Sequence, residues 1–223
     1  MSDAPGWPKG RRVFLMRHGE TYEPRPDARL PGPAEDPHLP LTPRGRERLA
    51  EVARWMASAP IEAAFASPYR RAQDTARIGV EPRGIEVGTL ENIKELAVYG
   101  PEGGTLRDVA RRYIELIRDL AAHGEYEVRL DCGRTLGAIV DAALDDLRGA
   151  LARTEGPLLV VAHGGLNRFL LGRWLGMPAL RAIAIEQNFA CVNVVEFVGS
   201  GQPWVRALNA TLHDPFKVEA PGI

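Results

Sequence analysis

The chain is poor in the features that staple small or secreted scaffolds. Its 223 residues include two cysteines, Cys132 and Cys191, and neither sits in a C-x-x-C pair. That count excludes a disulfide framework and a thiolate metal cluster. No apolar run approaches the ~18 residues of a membrane span. Met1 to Arg12 is polar and lacks the apolar stretch of a secretory signal. Basic excess is missing too: 28 cationic and 29 acidic side chains give a formal charge of −1, unlike a dedicated nucleic-acid binder. A soluble, cytoplasmic protein with no nucleic-acid or membrane partner is expected. Lysine is scarce, at positions 9, 94 and 217 only, so 25 of the 28 cations are arginine. Arginines that converge make bidentate anion ligands.

The rest of the composition is ordinary, with 45% hydrophobic side chains. A chain of this length buries roughly 70% of its unfolded surface without staples. One domain over residues 1–223 is expected, with residues 1–11 as a loose tail. Arg12 to Met16 is an apolar run ending at Arg17-His18-Gly19, the pattern of a strand buried on both faces. Residues 22–40 hold six prolines and read as a long loop. Thr42-Pro43 opens a helix, with Thr42 as N-cap and Leu49, Val52, Ala53 and Met56 as its buried stripe. Strands are predicted at 61–66 and 85–90, and Ser67-Pro68 repeats the cap-plus-proline device ahead of a helix to about Ile78. Residues 105–122 form a helix with Leu106, Val109, Tyr113, Leu116, Ile117 and Leu120 on one face and Gly124 as its stop. A further helix spans about 135–153. Leu158 to Ala162, the most apolar strand candidate, ends at His163-Gly164-Gly165; a helix and two late strands, 190–198 and 204–209, follow. Alternating strands and helices imply a three-layer α/β/α fold with a mainly parallel central sheet.

Several catalytic devices are absent. There is no G-x-x-x-x-G-K-[ST], G-x-S-x-G or G-x-G-x-x-G, and no H-E-x-x-H. Six residues beyond the two cysteines stand Ala138 and Phe197, not the arginine a cysteine phosphatase needs. Two His-Gly turns remain, at His18 and His163, each after a buried strand. Ligands of open α/β sheets bind at the carboxyl ends of strands, so both imidazoles can face one crevice. With Arg17 and Arg71 both at strand ends, that crevice would crowd two guanidiniums and two imidazoles together. An anion resolves this, and a tetrahedral phosphoryl group is the natural guest.

The ordered set R-H-G-E-T, L-T-P-x-G, S-P-x-x-R-A-x-x-T-A and V-V-A-H-G-G, spanning about Val13 to His213, resembles the histidine phosphatase superfamily, the phosphoglycerate mutase-like fold. The resemblance implies a phosphohistidine mechanism. His18 would be the nucleophile, Arg17 and Arg71 would grip the phosphoryl oxygens, and His163 would be the second pocket imidazole. Arg70 would be a surface neighbour. The family's acid maps to Glu95, in Ile93-Lys94-Glu95-Leu96 with Gly100 beyond, and Glu91 is the competing assignment. Thr21 and Gly164 are further candidates for substrate contact. No metal and no cofactor are implied.

The family's Asn after R-H-G-x-T is replaced by Pro24. Leu96 stands where cofactor-dependent mutases carry Arg, and Glu95 and His163 are only 68 positions apart. Both features favour a metal-independent phosphomonoesterase acting on a small phosphorylated metabolite, with residues of about 100–131 as a helical cap. A phosphoglycerate mutase and a non-catalytic phosphate-binding protein stay open as alternatives, as does a homodimer. Arg111, Arg112 and Arg168 read as a solvated helix face, and His38, His123 and His213 as structural.

Overall fold

The computed structural model describes residues 6–23, 27–96, 103–123 and 126–215. In chain order the elements are β1 (Arg12–Arg17), β2 (Arg29–Leu30), α1 (Pro43–Met56), β3 (Ala63–Ala66), α2 (Arg70–Val80), β4 (Val87–Thr89), β5 (Gly104–Thr105), α3 (Leu106–His123), α4 (Leu136–Ala152), β6 (Leu158–Ala162), α5 (Gly164–Trp174), α6 (Ala179–Ala182), β7 (Val192–Val198) and β8 (Gln202–Ala210). Six strands form one sheet in the order β4-β3-β6-β1-β7-β8, and β2 pairs with β5. The pairs β4/β3, β3/β6 and β6/β1 are parallel. The hairpin β7-β8 closes one edge antiparallel to β1.

The continuous apolar runs of β1 and β6 make sense in the middle of this sheet, because both of their faces are covered. Val13, Leu15, Leu158 and Val160 point into one core with the apolar stripes of α3, α4 and α5. Phe14, Met16, Leu159 and Val161 point into the other, against Leu49, Val52 and Met56 of α1 and Ala72, Ala76 and Val80 of α2. This period-two sorting makes the three layers.

The register sets the site. Arg17 pairs with Ala162, and Ala66 pairs with Val161, so β1, β3 and β6 end at one level. His18, Ser67 and His163 therefore leave the sheet side by side.

The two cap-plus-proline devices diverge. Thr42 Oγ1 accepts from the Gly45 amide at 2.9 Å, as expected. Ser67 does not cap α2, whose N-cap is Tyr69 with no side-chain bond. Its hydroxyl is fully buried and turned to His163 instead. Ile117, expected on the buried face of α3, is 40% exposed. Residues 6–11, expected as a loose tail, are tied down. Trp7 stacks on Phe197 with centroids 4.7 Å apart, and Arg11 donates to the carbonyls of Leu151 and Thr154. Within the expected loop, Asp36–His38 makes one 3-10 turn. Residues 1–5, Pro24, Gly100 and Gly124 lie outside the described residues, as does the His123 side chain.

The motif residues Glu20, Thr42 and Gly45 form a knot between β1 and α1. The Glu20 carboxylate accepts from Thr42 Oγ1 at 2.8 Å and from Arg44 Nε at 3.0 and 3.1 Å. A Cβ at Gly45 would stand 2.5 Å from the Glu20 carbonyl oxygen, so that close approach needs glycine.

Candidate active site

His18 follows β1 and is 3% exposed. Its Nε2 lies 3.1 Å from Arg71 Nε and its Nδ1 lies 2.8 Å from the Gly19 carbonyl oxygen. A guanidinium N–H only donates, and a carbonyl only accepts. The tautomer follows: Nδ1 carries the proton, and Nε2 holds a lone pair toward the crevice. Burial, then the Arg71 and Arg17 charges, hold this imidazole well below its ordinary pKa, so it is neutral near pH 7.

His163 is the N-cap residue of α5 and fully buried. Its ring centroid is 5.1 Å from that of His18. Nε2 meets Ser67 Oγ at 2.8 Å, while Nδ1 is buried with no hydrogen-bond partner among the described residues. Such an orphan costs about 1–3 kcal/mol unless a ligand completes it. Burial, Arg71, His18 and Arg17, in that order, also lower the His163 pKa.

Arg71, one residue into α2, is 2% exposed, whereas Arg70 points outward and pairs with Asp74 at 3.6 Å. Asp36 occupies the outer edge of the Arg71 guanidinium. Arg71 Nη1 lies 3.0 Å from Asp36 Oδ1 and donates to the Asp36 carbonyl at 2.6 Å, and Nη2 reaches Oδ2 at 3.2 Å. The Nε edge is thereby aimed at His18. Arg17 donates from Nη1 to the Gln187 carbonyl at 2.5 Å, and its Cζ lies 4.0 Å from the centroid of Phe189.

Glu95 enters from the segment after β4. Its Oε1 accepts from the Leu96 amide at 2.9 Å. Burial raises its pKa above the ordinary carboxylate value, against the lowering pull of Arg71 and Arg17. Glu91, the competing acid, is exposed and pairs with Lys94 at 3.5 Å. Thr21 lines the crevice with Tyr22, Leu30 and Asp36, and the free space there is about 10 Å³, room for about one water. Gly164 lies against Arg17, where a Cβ would stand 3.0 Å from Nε.

The ligand atoms of His18, Glu95 and His163 lie within 4.8 Å of one another, compact enough for a transition metal. Two guanidiniums beside the same imidazoles oppose a dication and favour an anion.

The structure thus brings Arg17, His18, Arg71, Glu95 and His163 together. Sequence reasoning missed Asp36 and Ser67, and it placed Arg168 on a solvated face when that side chain is 8% exposed. The proline-rich composition of residues 22–40 marked the segment that carries Asp36, but nothing in it named the partner. The Ser67-Pro68 pair signalled a cap, and the competing partner lies 96 residues away.

Residues 13–211 match the histidine phosphatase superfamily, branch 1. A probable 2-carboxy-D-arabinitol-1-phosphatase from Arabidopsis thaliana is 26% identical over 92% of this chain, which spans 43% of that relative's length. A probable phosphoglycerate mutase from an Enterobacter species is 27% identical over 87% of both chains. The solved phosphoserine phosphatase of Entamoeba histolytica, in complex with 3-phosphoglyceric acid, superposes with a TM-score of 0.74 over 91% of this chain and 98% of its own; at 21% identity it shares the fold. The chain belongs to the histidine phosphatase superfamily.

Proposed function

We propose that this protein hydrolyses phosphomonoesters of small metabolites through a phosphohistidine at His18. The observation that carries the reading is the tautomer of His18, a neutral imidazole whose unprotonated Nε2 faces the crevice and the Arg71 guanidinium. In-line attack by Nε2 on phosphorus forms the N–P bond and breaks the P–O bond to the alcohol. Arg17, Arg71 and the Nδ1–H of His163 donate to the equatorial oxygens, where transition-state charge spreads. Ser67 donating its hydroxyl proton to His163 Nε2 keeps the proton on Nδ1, the nitrogen left without a partner. Glu95, whose burial favours the protonated form, gives its proton to the departing alkoxide. As a carboxylate it then takes a proton from the water that cleaves phosphohistidine, restoring both groups and releasing inorganic phosphate. Asp36 positions Arg71 by occupying its two terminal nitrogens.

The mutase reading uses the same first step and returns the phosphoryl group to the bound alcohol, as the name of the Enterobacter relative suggests. The short interval between Glu95 and His163 favours hydrolysis. The protein is read further as one domain with α3 in the cap, in the cytoplasm, without nucleic-acid or membrane partners. In support, both cysteines are free and, among the described residues, no helix is long and apolar enough to cross a membrane. Phosphate release is measured over a panel of phosphomonoesters, with His18→Ala as the blank. Release above the blank on at least one ester is expected. Conversion of 3-phosphoglycerate to 2-phosphoglycerate without free phosphate overturns hydrolysis.

A further inference from the structure

Arg168 lies on α5, five residues beyond His163, and is the one buried arginine here whose guanidinium has no acceptor among the described residues. Arg17 has the Gln187 carbonyl, Arg71 has Asp36, and Arg11 has three carbonyls and the Thr154 hydroxyl. Arg168 is 8% exposed, and its Nε is buried with no hydrogen-bond partner. What it meets instead is an aromatic face, with Cζ 5.4 Å from the ring centroid of Tyr113. Desolvating a cation costs several kcal/mol, and a cation–π contact returns only about 0.5–2. A guanidinium kept in such a place with its Nε matched by no acceptor points to a partner outside the chain's own side chains.

The place is informative. A Cβ on Gly165 would stand 2.6 Å from Glu95 Oε1 and 3.2 Å from the Tyr113 hydroxyl, so these two oxygens lie within about 6 Å of each other. Glycine at 165 lets the group that protonates the departing alcohol and the ring that carries Arg168 pack close together against α5. The alcohol half of a substrate leaves on the Glu95 side, so any group it bears beyond the reacting oxygen extends toward Tyr113 and Arg168.

We propose that Arg168 and the Tyr113 hydroxyl form a subsite for a carboxylate on the alcohol half of the substrate. The protein would thus select phosphomonoesters of hydroxy acids over those of neutral alcohols. This deepens the phosphatase reading above and rests on it. A carboxylate matches the planar fork of one guanidinium in shape and charge. A second phosphate would bring more negative charge than the single Arg168 guanidinium neutralises. An ester without a carboxylate leaves Arg168 buried and unpaired, and that penalty makes the site discriminate.

The test uses a matched pair, 3-phosphoglycerate and glycerol 3-phosphate, which differ by a carboxylate in place of a hydroxymethyl group. The parent enzyme is expected to favour the carboxylated ester by at least tenfold in kcat/KM. In Arg168→Met that ratio is expected to fall to about one, and Arg168→Lys to lie between. A parent ratio near one, or a ratio that survives in Arg168→Met, overturns the proposal. A merely structural arginine gives a different signature. Without ligand, Arg168→Met is expected to melt at the parent temperature or above, because it removes an unpaired charge. A melting temperature several degrees lower overturns the proposal. Binding to the His18→Ala protein, followed by calorimetry, separates the subsite from the chemistry. If neither ester turns over faster than the blank, the phosphatase reading fails. At least tenfold tighter binding of 3-phosphoglycerate than of glycerol 3-phosphate would still uphold the subsite, and equal binding would overturn it.

Discussion

The ends of β1 and β6 carry the same two letters, His-Gly, at the same level of one sheet, yet the two imidazoles are wired in opposite senses. His18 donates its Nδ1 proton to its own chain at Gly19 and turns an unprotonated Nε2 to the crevice, where Arg71 Nε donates to it. His163 spends Nε2 on Ser67, the residue just past β3, and leaves Nδ1 open. One ring is poised to give an electron pair and the other to give a proton. Position on the fold does not decide between these roles. The hydrogen bond on the far nitrogen does.

Substitutions break this comparison in graded steps. His18→Ala removes the nucleophile, and phosphate release is expected to fall about 10⁴-fold or more, with no phosphoenzyme trapped on acid quench. His163→Ala removes one donor to the developing charge, so kcat is expected to fall about 10²–10³-fold while the phosphoenzyme still forms. Loss of the trapped intermediate in that variant would put both rings in one role.

Protonation probes the two rings together. Their folded pKa values are depressed, so the unfolded chain binds protons that the native state refuses. Stability is therefore expected to be intact above the unfolded value of about 6.5 and to fall as pH drops through it toward the folded values. Glu95 works the other way, since its raised pKa makes the native state the proton binder above about 4.5. Its contribution is lost as pH rises toward its folded value. The net slope is expected at about one to two protons, roughly 1.4–2.7 kcal/mol per pH unit, in urea titrations between pH 7 and 5. A flat profile would mean that neither ring is buried neutral.

The finest step contrasts Ser67 with Thr42, two hydroxyls before proline. Ser67→Ala frees His163 Nε2 to hold the proton, so kcat is expected to drop about tenfold with little change in melting temperature. Thr42→Ala loses a helix cap and a bond to Glu20, and is expected to cost about 1 kcal/mol of stability while turnover persists. An exchange of these outcomes would reverse the assignment of cap and catalytic support.

Much of the layer arrangement was legible because it is written in local periods. Leu158 to Ala162 is apolar at every position, which only a strand covered on both faces tolerates. Thr42-Pro43 reads as a cap because its partner, Gly45, is three residues away. The pocket arginine was legible through its place in a motif, and Arg70 next to it does face outward. What stayed hidden depends on long-range juxtaposition. Asp36 reaches Arg71 across 35 residues, and Ser67 reaches His163 across 96. No window of sequence contains either pair. Ile117 and Arg168 were misjudged for a related reason: the phase of a helix is readable, but the arc its neighbours cover is not.

The junction of Glu20, Thr42 and Gly45 has an evolutionary corollary. These letters sit inside the very motifs by which the family is spotted, yet they brace a corner and touch no chemistry. A descendant that lost His18 would still need them to stay folded. It would go on resembling an active member long after it had become a pseudoenzyme, and the surest sign of a working relative is the imidazole at 18 rather than the letters that surround it.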